Sequence, residues 1–141
     1  MISLRHRSFT LKYLLPSLPP WCQRLVAVDN APAMIASARE KYAHPKIEHQ
    51  LLDLAVDDQV AKFVHEQGRF QRVYSFSTLH WIADQQRAMC NIETLMAAGG
   101  ECFVVFLNSI IMFDVYDALA QSPRWQKYSD VSSAVRMFLA S

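Results

Sequence analysis

The chain has 141 residues, of which 52% are hydrophobic and 19% are charged. This length and composition indicate one globular domain with a core of its own, and they exclude an intrinsically disordered chain. The formal net charge of +1 provides no field that would attract nucleic acid or an anionic membrane. No apolar run approaches the ~20 residues that span a bilayer. We therefore expect neither nucleic acid nor a membrane as a partner.

Cysteines and histidines give no sign of a disulfide framework or a metal site. The three cysteines, Cys22, Cys90 and Cys102, are odd in number and lack C-x-x-C spacing. This pattern is typical of reduced thiols in a cytoplasmic protein. The five histidines lack the spacing of metal ligands, so we predict no metal.

The segment from Met1 to Val28 contains no acidic residue, and it allows two interpretations. A basic, acid-free N-terminus is typical of a transit peptide, which would direct the protein to mitochondria. Alternatively, residues 8–15 form a helix that Pro16 and the following prolines terminate. We favour the helix, because proline-ended connections are common in α/β domains. Residues 1–20 are therefore taken as a basic N-terminal segment.

Strand-like and helical patterns alternate along the rest of the chain. Short apolar runs predict parallel strands at residues 25–29, 47–52, 72–76 and 101–107. Apolar residues at helical spacing predict intervening helices at residues 31–42, 56–68, 88–99 and 113–122. We expect Asn30 to cap the first of these helices and Asp84 to cap a later one. This alternation predicts an α/β fold, a Rossmann-like parallel sheet with helices on both faces.

Polar and aromatic residues collect where the predicted strands end. Those ends carry Asp29, Asp53, the segment 77–81 and Asn108-Ser109. Ligands of such sheets bind outside the carboxyl ends of the strands. Asp29 can accept hydrogen bonds from ribose hydroxyls; alternatively, its role is limited to capping the next helix. Asp53 can contact an adenine edge or be a turn residue.

A glycine-rich turn normally lies about 20 residues before an acid such as Asp29. This chain has no glycine before Gly68. The bulky side chains present there prevent the close approach of backbone to a cofactor. The sequence therefore predicts a ribose contact without the usual glycine cradle.

Several segments, in order along the chain, resemble class I S-adenosylmethionine-dependent methyltransferases. They are Leu25 to Asp29, Met34, Leu52 to Leu54, Phe70 to Trp81 and Leu95 to Phe106. A narrower resemblance, to the juvenile hormone acid methyltransferases of arthropods, lies in Tyr74 to Trp81, Asn91-Ile92, Ala98 to Phe106, Phe113 to Tyr116, Trp125 and Tyr128. The resemblance implies a methyltransferase-like domain at residues 21–131, followed by a truncated tail at 132–141.

The resemblance implies O-methylation of the carboxylate of a terpenoid or fatty acid, with S-adenosylmethionine as the methyl donor. It assigns cofactor binding to Asp29 at the ribose, Asn30 and Met34 beside the adenosine, Asp53 and Leu54 at the adenine edge, and Ser77 near the methionine part.

The resemblance places His80 and Trp81 beside the carboxylate of the acceptor. Their alternative role is as buried residues that pack at a strand end. No acid–base residue is expected, because a carboxylate is already a nucleophile at neutral pH. Alignment with the methyl group in a dry pocket would supply most of the rate.

The chain departs from the family at both ends. The family's first strand and G-x-G-x-G loop should precede Thr10, and its last strands should follow Ser141. We therefore expect a fragment in which donor binding and activity are impaired. A non-catalytic remnant or regulatory isoform is the first alternative. A Rossmann-like dehydrogenase is the second, and Leu79-His80-Trp81 argues against it.

A missing first strand would leave a gap in the middle of the sheet. The facing edges of residues 25–29 and 72–76 could close this gap by pairing directly. Residues before Thr10 could instead supply a strand, or another chain could do so. The last possibility predicts self-association through unpaired sheet edges.

Overall fold

The structure is a computed structural model that describes residues 2–4, 10–106, 115, 118–119 and 121–124, with residues 2–4 and 11 described by their backbone. The strands are β1 (Ile2–Leu4), β2 (Leu25–Asp29), β3 (Ile47–Leu51), β4 (Phe70–Phe76) and β5 (Met96–Val105). The helices are α1 (Leu15–Ser17), α2 (Pro32–Lys41), α3 (Asp57–Gln67) and α4 (Gln85–Leu95), with a π-helical turn at Thr10–Leu14 and a 3-10 turn at Leu79–Trp81. No described helix is long and apolar enough to cross a bilayer.

The strands form one parallel sheet in the order β3-β2-β1-β4-β5. This arrangement confirms the predicted α/β fold, and the observed β2 has the predicted bounds. Chain order proceeds from β1 towards β2 and β3 on one side, and β4 and β5 lie on the other. The strand order therefore reverses beside β1, which is where ligands bind in such sheets.

Strand β1 fills the gap expected at the centre of the sheet. Ile2 pairs with Val26 on one side and with Val73 on the other, and the pairing continues through Leu4. Of the three ways to close the gap, the chain therefore uses its own residues before Thr10. The expectation that the facing edges of β2 and β4 lack a partner is wrong where β1 lies between them.

Buried side chains lie on both faces of the sheet, because successive residues of a strand point in opposite directions. On one face, Val26 and Val73 belong to the main core together with α3 and α4. On the other face, Leu25 packs with Leu14 and Ile47. The sheet is thus the middle layer of the fold.

Two helix boundaries differ from the predictions near the N-terminus. Ala31, and not Asn30, is the N-cap of α2, and no side chain caps it. The first helical segment begins at Thr10 among the described residues and continues through Pro16 to Ser17. Pro16 lies in α1 directly after the π-helical turn, so it does not terminate the helical segment as predicted.

Helix α4 ends at Leu95, so the predicted closure at Gly99-Gly100 is wrong. Phe70 pairs with Met96, whereas Arg72 pairs with Glu101, so residues 97–100 bulge out of the ladder opposite Gln71. Gly99 has φ +70, and a Cβ at Gly100 would lie 2.9 Å from the carbonyl oxygen of Ala97. The glycines therefore make a bulge possible, not a helix cap. Most of the helix predicted at 113–122 lies outside the described residues.

An ion pair joins the amino-terminal ends of β2 and β3. Arg24 donates from Nε to Oε1 of Glu48 at 2.7 Å and from Nη2 to Oε2 at 2.9 Å. Arg24 also donates to the side-chain oxygen of Gln67 at the end of α3. The hydrogen bonds with Arg24 hold the pKa of Glu48 below its ordinary value of 4.5, and they raise the pKa of Arg24.

We predict that Glu48→Gln removes a pH-dependent part of the stability. Because the pKa of Glu48 is lowered by folding, its stabilisation is present above pH 4.5 and is lost as the pH falls through the folded-state pKa. The side chain is half-exposed, so the loss at neutral pH should be roughly 0.5 kcal/mol. Urea unfolding between pH 7 and pH 3 measures it, with Glu93→Gln as control. A wild-type advantage that stays constant over this range would contradict the prediction.

We predict that Ser3→Pro disrupts the sheet at its centre. Proline cannot donate to the ladder and leaves a buried carbonyl oxygen without its donor, so the change should cost about 1–3 kcal/mol and expose strand edges that associate. Thermal melting and light scattering measure both effects. Ser3→Ala keeps the N–H and should behave as wild type. Equal melting temperatures for the two variants would show that β1 does not support the sheet.

Candidate functional site

One open cleft lies at the carboxyl ends of β2 and β3, beside the 3-10 turn. The residues that line it are Val28, Asp29, Asn30, Leu52, Asp53, Leu54, Thr78, Trp81 and Ile82. The cleft therefore brings together five of the residues predicted from the sequence, namely Asp29, Asn30, Asp53, Leu54 and Trp81. Of the other candidates in the described part of the chain, Met34, Ser77 and His80 do not line it.

The two aspartates adopt the same local geometry. Oδ1 of Asp29 accepts a hydrogen bond from the backbone N–H of Ala31 at 2.9 Å. Oδ1 of Asp53 accepts one from the N–H of Ala55, also at 2.9 Å. Each acid is thus a turn residue of the kind expected for aspartate. Among the described residues, Oδ2 of neither acid has a protein partner, so each carboxylate can hold its turn and still bind a ligand.

The position of Asp53 follows from the pairing of β2 with β3. Asp29 is opposite Leu51 in the register, and the N–H of Leu52 donates to the carbonyl oxygen of Asp29 at 3.1 Å. Leu52 and Leu54 are each only 3% exposed, so they fix the loop to the core. Asp53, between them, is partly exposed and lines the cleft.

The loop after β4 begins with a strained residue. Ser77 has φ +50, the only positive φ of a non-glycine residue in the described chain, and its N–H donates to Val105 at 2.7 Å. Such a backbone conformation costs about 1–2 kcal/mol and tends to occur at functional sites. Ser77 lies at the edge where the strand order reverses, although its side chain is outside the cleft.

His80 and Trp81 have different environments. Leu79, 1% exposed, fixes the 3-10 turn to the core, and His80 is also buried. Trp81 is 43% exposed and lines the cleft with the two aspartates. The rings of His80 and Trp81 are tilted, with centroids 5.1 Å apart. The structure therefore places Trp81 on the aspartate side of the edge, with His80 packed against it.

Sequence reasoning missed Ile82, and it included Thr78 only as part of a segment. Both line the cleft. Ile82 could have been predicted as a cleft residue from its position, because it directly follows Trp81 and precedes the predicted cap at Asp84. The Asp84 cap is confirmed, because its Oδ1 accepts from the N–H of Arg87 at 2.9 Å. Asn108-Ser109 lie outside the described residues.

Residues 10–104 match the methyltransferase domain family. The chain belongs to this family. It is similar to the juvenile hormone acid O-methyltransferase of Bombyx mori, with 36% identity over 105 residues, and to that of Drosophila melanogaster, with 30% over 120 residues. The alignments cover 74% and 84% of this chain but only 36% and 39% of those proteins. The chain thus spans little more than a third of these relatives.

Solved structures share the fold. An S-adenosylmethionine-dependent methyltransferase from Anabaena variabilis is 20% identical, with a TM-score of 0.67 over 88% of this chain and 51% of that one. The trans-methyltransferase CalH, solved as a complex with SAH, is 21% identical, with a TM-score of 0.58 over 73% of this chain and 30% of that one. The family resemblance is confirmed, and the dehydrogenase alternative is not favoured.

Proposed function

We propose that the cleft binds the adenosine half of S-adenosylmethionine and that the domain serves methyl transfer to a small-molecule carboxylic acid. The observation that carries this proposal is the pair Asp29 and Asp53, whose Oδ2 atoms are available in one cleft with an exposed tryptophan. The family and the names of the relatives support the same reading.

Asp29 is proposed to bind the ribose. A carboxylate oxygen accepts two hydroxyl protons well, and such charge-assisted hydrogen bonds are about twice as strong as neutral ones. The turn formed by Oδ1 and the N–H of Ala31 fixes the carboxylate before a ligand arrives. Asn30, also in the cleft, is proposed to lie beside the adenosine, with Met34 on the first turn of α2.

The adenine is proposed to lie between Asp53 and the apolar side of the cleft. Asp53 can accept from an exocyclic amino group. Leu54, Ile82 and the ring of Trp81 offer apolar and aromatic surface for a planar base. The residues present therefore fit an adenosine group on charge and polarity.

The acceptor is proposed to be the carboxylate of a terpenoid or fatty acid. When bound, S-adenosylmethionine supplies an electrophilic methyl group on a cationic sulfur. The chain has to align the acceptor and keep water away, because the carboxylate is already ionised. Ser77 is proposed to lie near the methionine part. Trp81 lines the cleft and is proposed to lie on the donor side, and His80, packed against it, on the acceptor side.

We predict that Asp29→Asn weakens binding of S-adenosylhomocysteine without loss of stability. The amide oxygen of asparagine can keep the hydrogen bond from Ala31, whereas the charge at the ribose is lost. The affinity should fall about tenfold or more, since hydrogen bonds to charged groups contribute ~1.5–3 kcal/mol. Titration calorimetry extended to millimolar ligand measures the affinity, and Asp58→Asn, on an exposed face of α3, is the control. If Asp29→Asn binds as wild type does, Asp29 is a turn residue only.

We predict that a glycine-containing loop at residues 5–9 tightens this binding. The chain has Arg5-His6-Arg7-Ser8-Phe9 there, and a G-x-G-x-G loop would allow the backbone to approach the methionine part. Replacing these five residues should raise the affinity for S-adenosylhomocysteine at least tenfold. The same loop with alanine in place of each glycine is the control. Micromolar binding by the unmodified chain would mean that the glycines are dispensable.

A further inference from the structure

We infer that Asn91 is a positioning residue for the donor cleft and that α4, through Asn91 and Gln85, holds both sides of the cleft in place. This inference rests on the proposed function, because it assigns a role in donor binding to residues that do not line the cleft. Neither side chain can touch a ligand there, so any effect on binding must pass through the residues they hold.

Asn91 holds the loop after β3. Its side chain is 5% exposed, and Nδ2 donates to the carbonyl oxygen of Leu54 at 2.8 Å and to Oδ1 of Asp57 at 2.9 Å. Both N–H bonds of the amide are therefore used. The same helix face otherwise buries Ala88, Ile92 and Leu95.

An amide at such an apolar position is costly unless its hydrogen bonds are made. Leucine would fill the position without that cost. Leu54 directly follows Asp53, so the hydrogen bond from Asn91 fixes the backbone next to Asp53. The N–H of Asp53 itself donates to Oε1 of Gln59 at 3.2 Å. Asn91 thereby fixes the loop from which Asp53 reaches the cleft.

Gln85 holds the opposite side of the cleft. Its Nε2 donates to the carbonyl oxygens of Leu79 and Ile82, each at 2.5 Å. These carbonyls flank Trp81, and Ile82 itself lines the cleft. The first turn of α4 therefore fixes the aromatic side of the site.

Helix α4 sets the distance between the two sides. Gln85 and Asn91 are six residues apart on one continuous helix, which corresponds to a rise of about 9 Å. The two loops that they hold follow different strands, β3 and β4, so the loops are not adjacent in the chain. A shift of either contact would change the width of the cleft between Asp53 and Trp81.

The test separates the contact with Leu54 from the contact with Asp57. Asn91→Asp removes both hydrogen bonds. The double variant Asn91→Asp with Asp57→Asn restores the second one in reverse, because the amide at position 57 can donate to the carboxylate at position 91. The carbonyl oxygen of Leu54 remains without its donor. Asp57→Asn alone and Gln86→Glu, on the exposed face of α4, are the controls.

We expect Asn91→Asp to lower both the melting temperature and the affinity for S-adenosylhomocysteine, the latter about tenfold or more. The double variant should recover most of the melting temperature while its affinity stays reduced. Gln86→Glu should match wild type in both measurements. Recovery of the affinity together with the melting temperature would overturn the inference, because Asn91 would then only tie α4 to α3.

A second readout needs no ligand. The amide proton of Ala55, held by Asp53, should exchange faster with solvent in Asn91→Asp and in the double variant, but not in Gln86→Glu. Gln85→Glu should weaken ligand binding and leave the exchange of Ala55 unchanged, because it acts on the other side of the cleft.

If the wild-type chain binds no S-adenosylhomocysteine, the proposed function fails, and the exchange of Ala55 still decides whether Asn91 holds the loop. Unchanged exchange in Asn91→Asp would overturn the inference.

Discussion

The rest of the structure depends on the backbone pairing of three residues, Ile2–Leu4, at the centre of the sheet. Unpaired backbone groups buried between helices cost roughly 1–3 kcal/mol each, and the total stability of a domain is only about 5–15 kcal/mol. A sheet with a central gap could therefore not hold β2 and β4 at their observed separation. That separation places the end of β2, with Asp29, and the loop after β4, with Trp81, at one edge.

Each side chain of the cleft is held by a neighbour that is buried or hydrogen-bonded. Asp53 lies between two buried leucines, and Trp81 follows the buried Leu79. The acids also stabilise their own turns through one carboxylate oxygen, so the structural role of each acid is compatible with the ligand-binding role proposed for it. A ligand would consequently meet side chains that are already in position, which lowers the entropic cost of binding.

The parts of this fold that could be predicted from the sequence have local or topological causes. The bounds of β2 followed from a β-branched run, and the gathering of Asp29, Asp53 and Trp81 followed from the rule that parallel strands end at the same edge. Three residues of β1 are too few to show a period, so their role emerges only from the pairing. Gly99-Gly100 resembles a helix cap as much as a bulge, and only the partner strand decides between them. The buried amide of Asn91 also became meaningful only once its acceptors on another loop were located.

The first strand of this family has two roles, and this chain separates them. Completing the sheet requires only backbone N–H and C=O groups, so almost any three extended residues can do it, and Ile2–Leu4 do. Cradling the methionine end of a donor requires residues without a Cβ, and residues 5–9 contain no glycine. The cleft proposed to bind adenosine is built instead by β2, β3 and the turn after β4, all of which are present. If the cleft binds adenosine as proposed, recognition of the nucleoside does not require the glycine loop, and the domain should discriminate among ligands by their adenosine part more than by their amino-acid part.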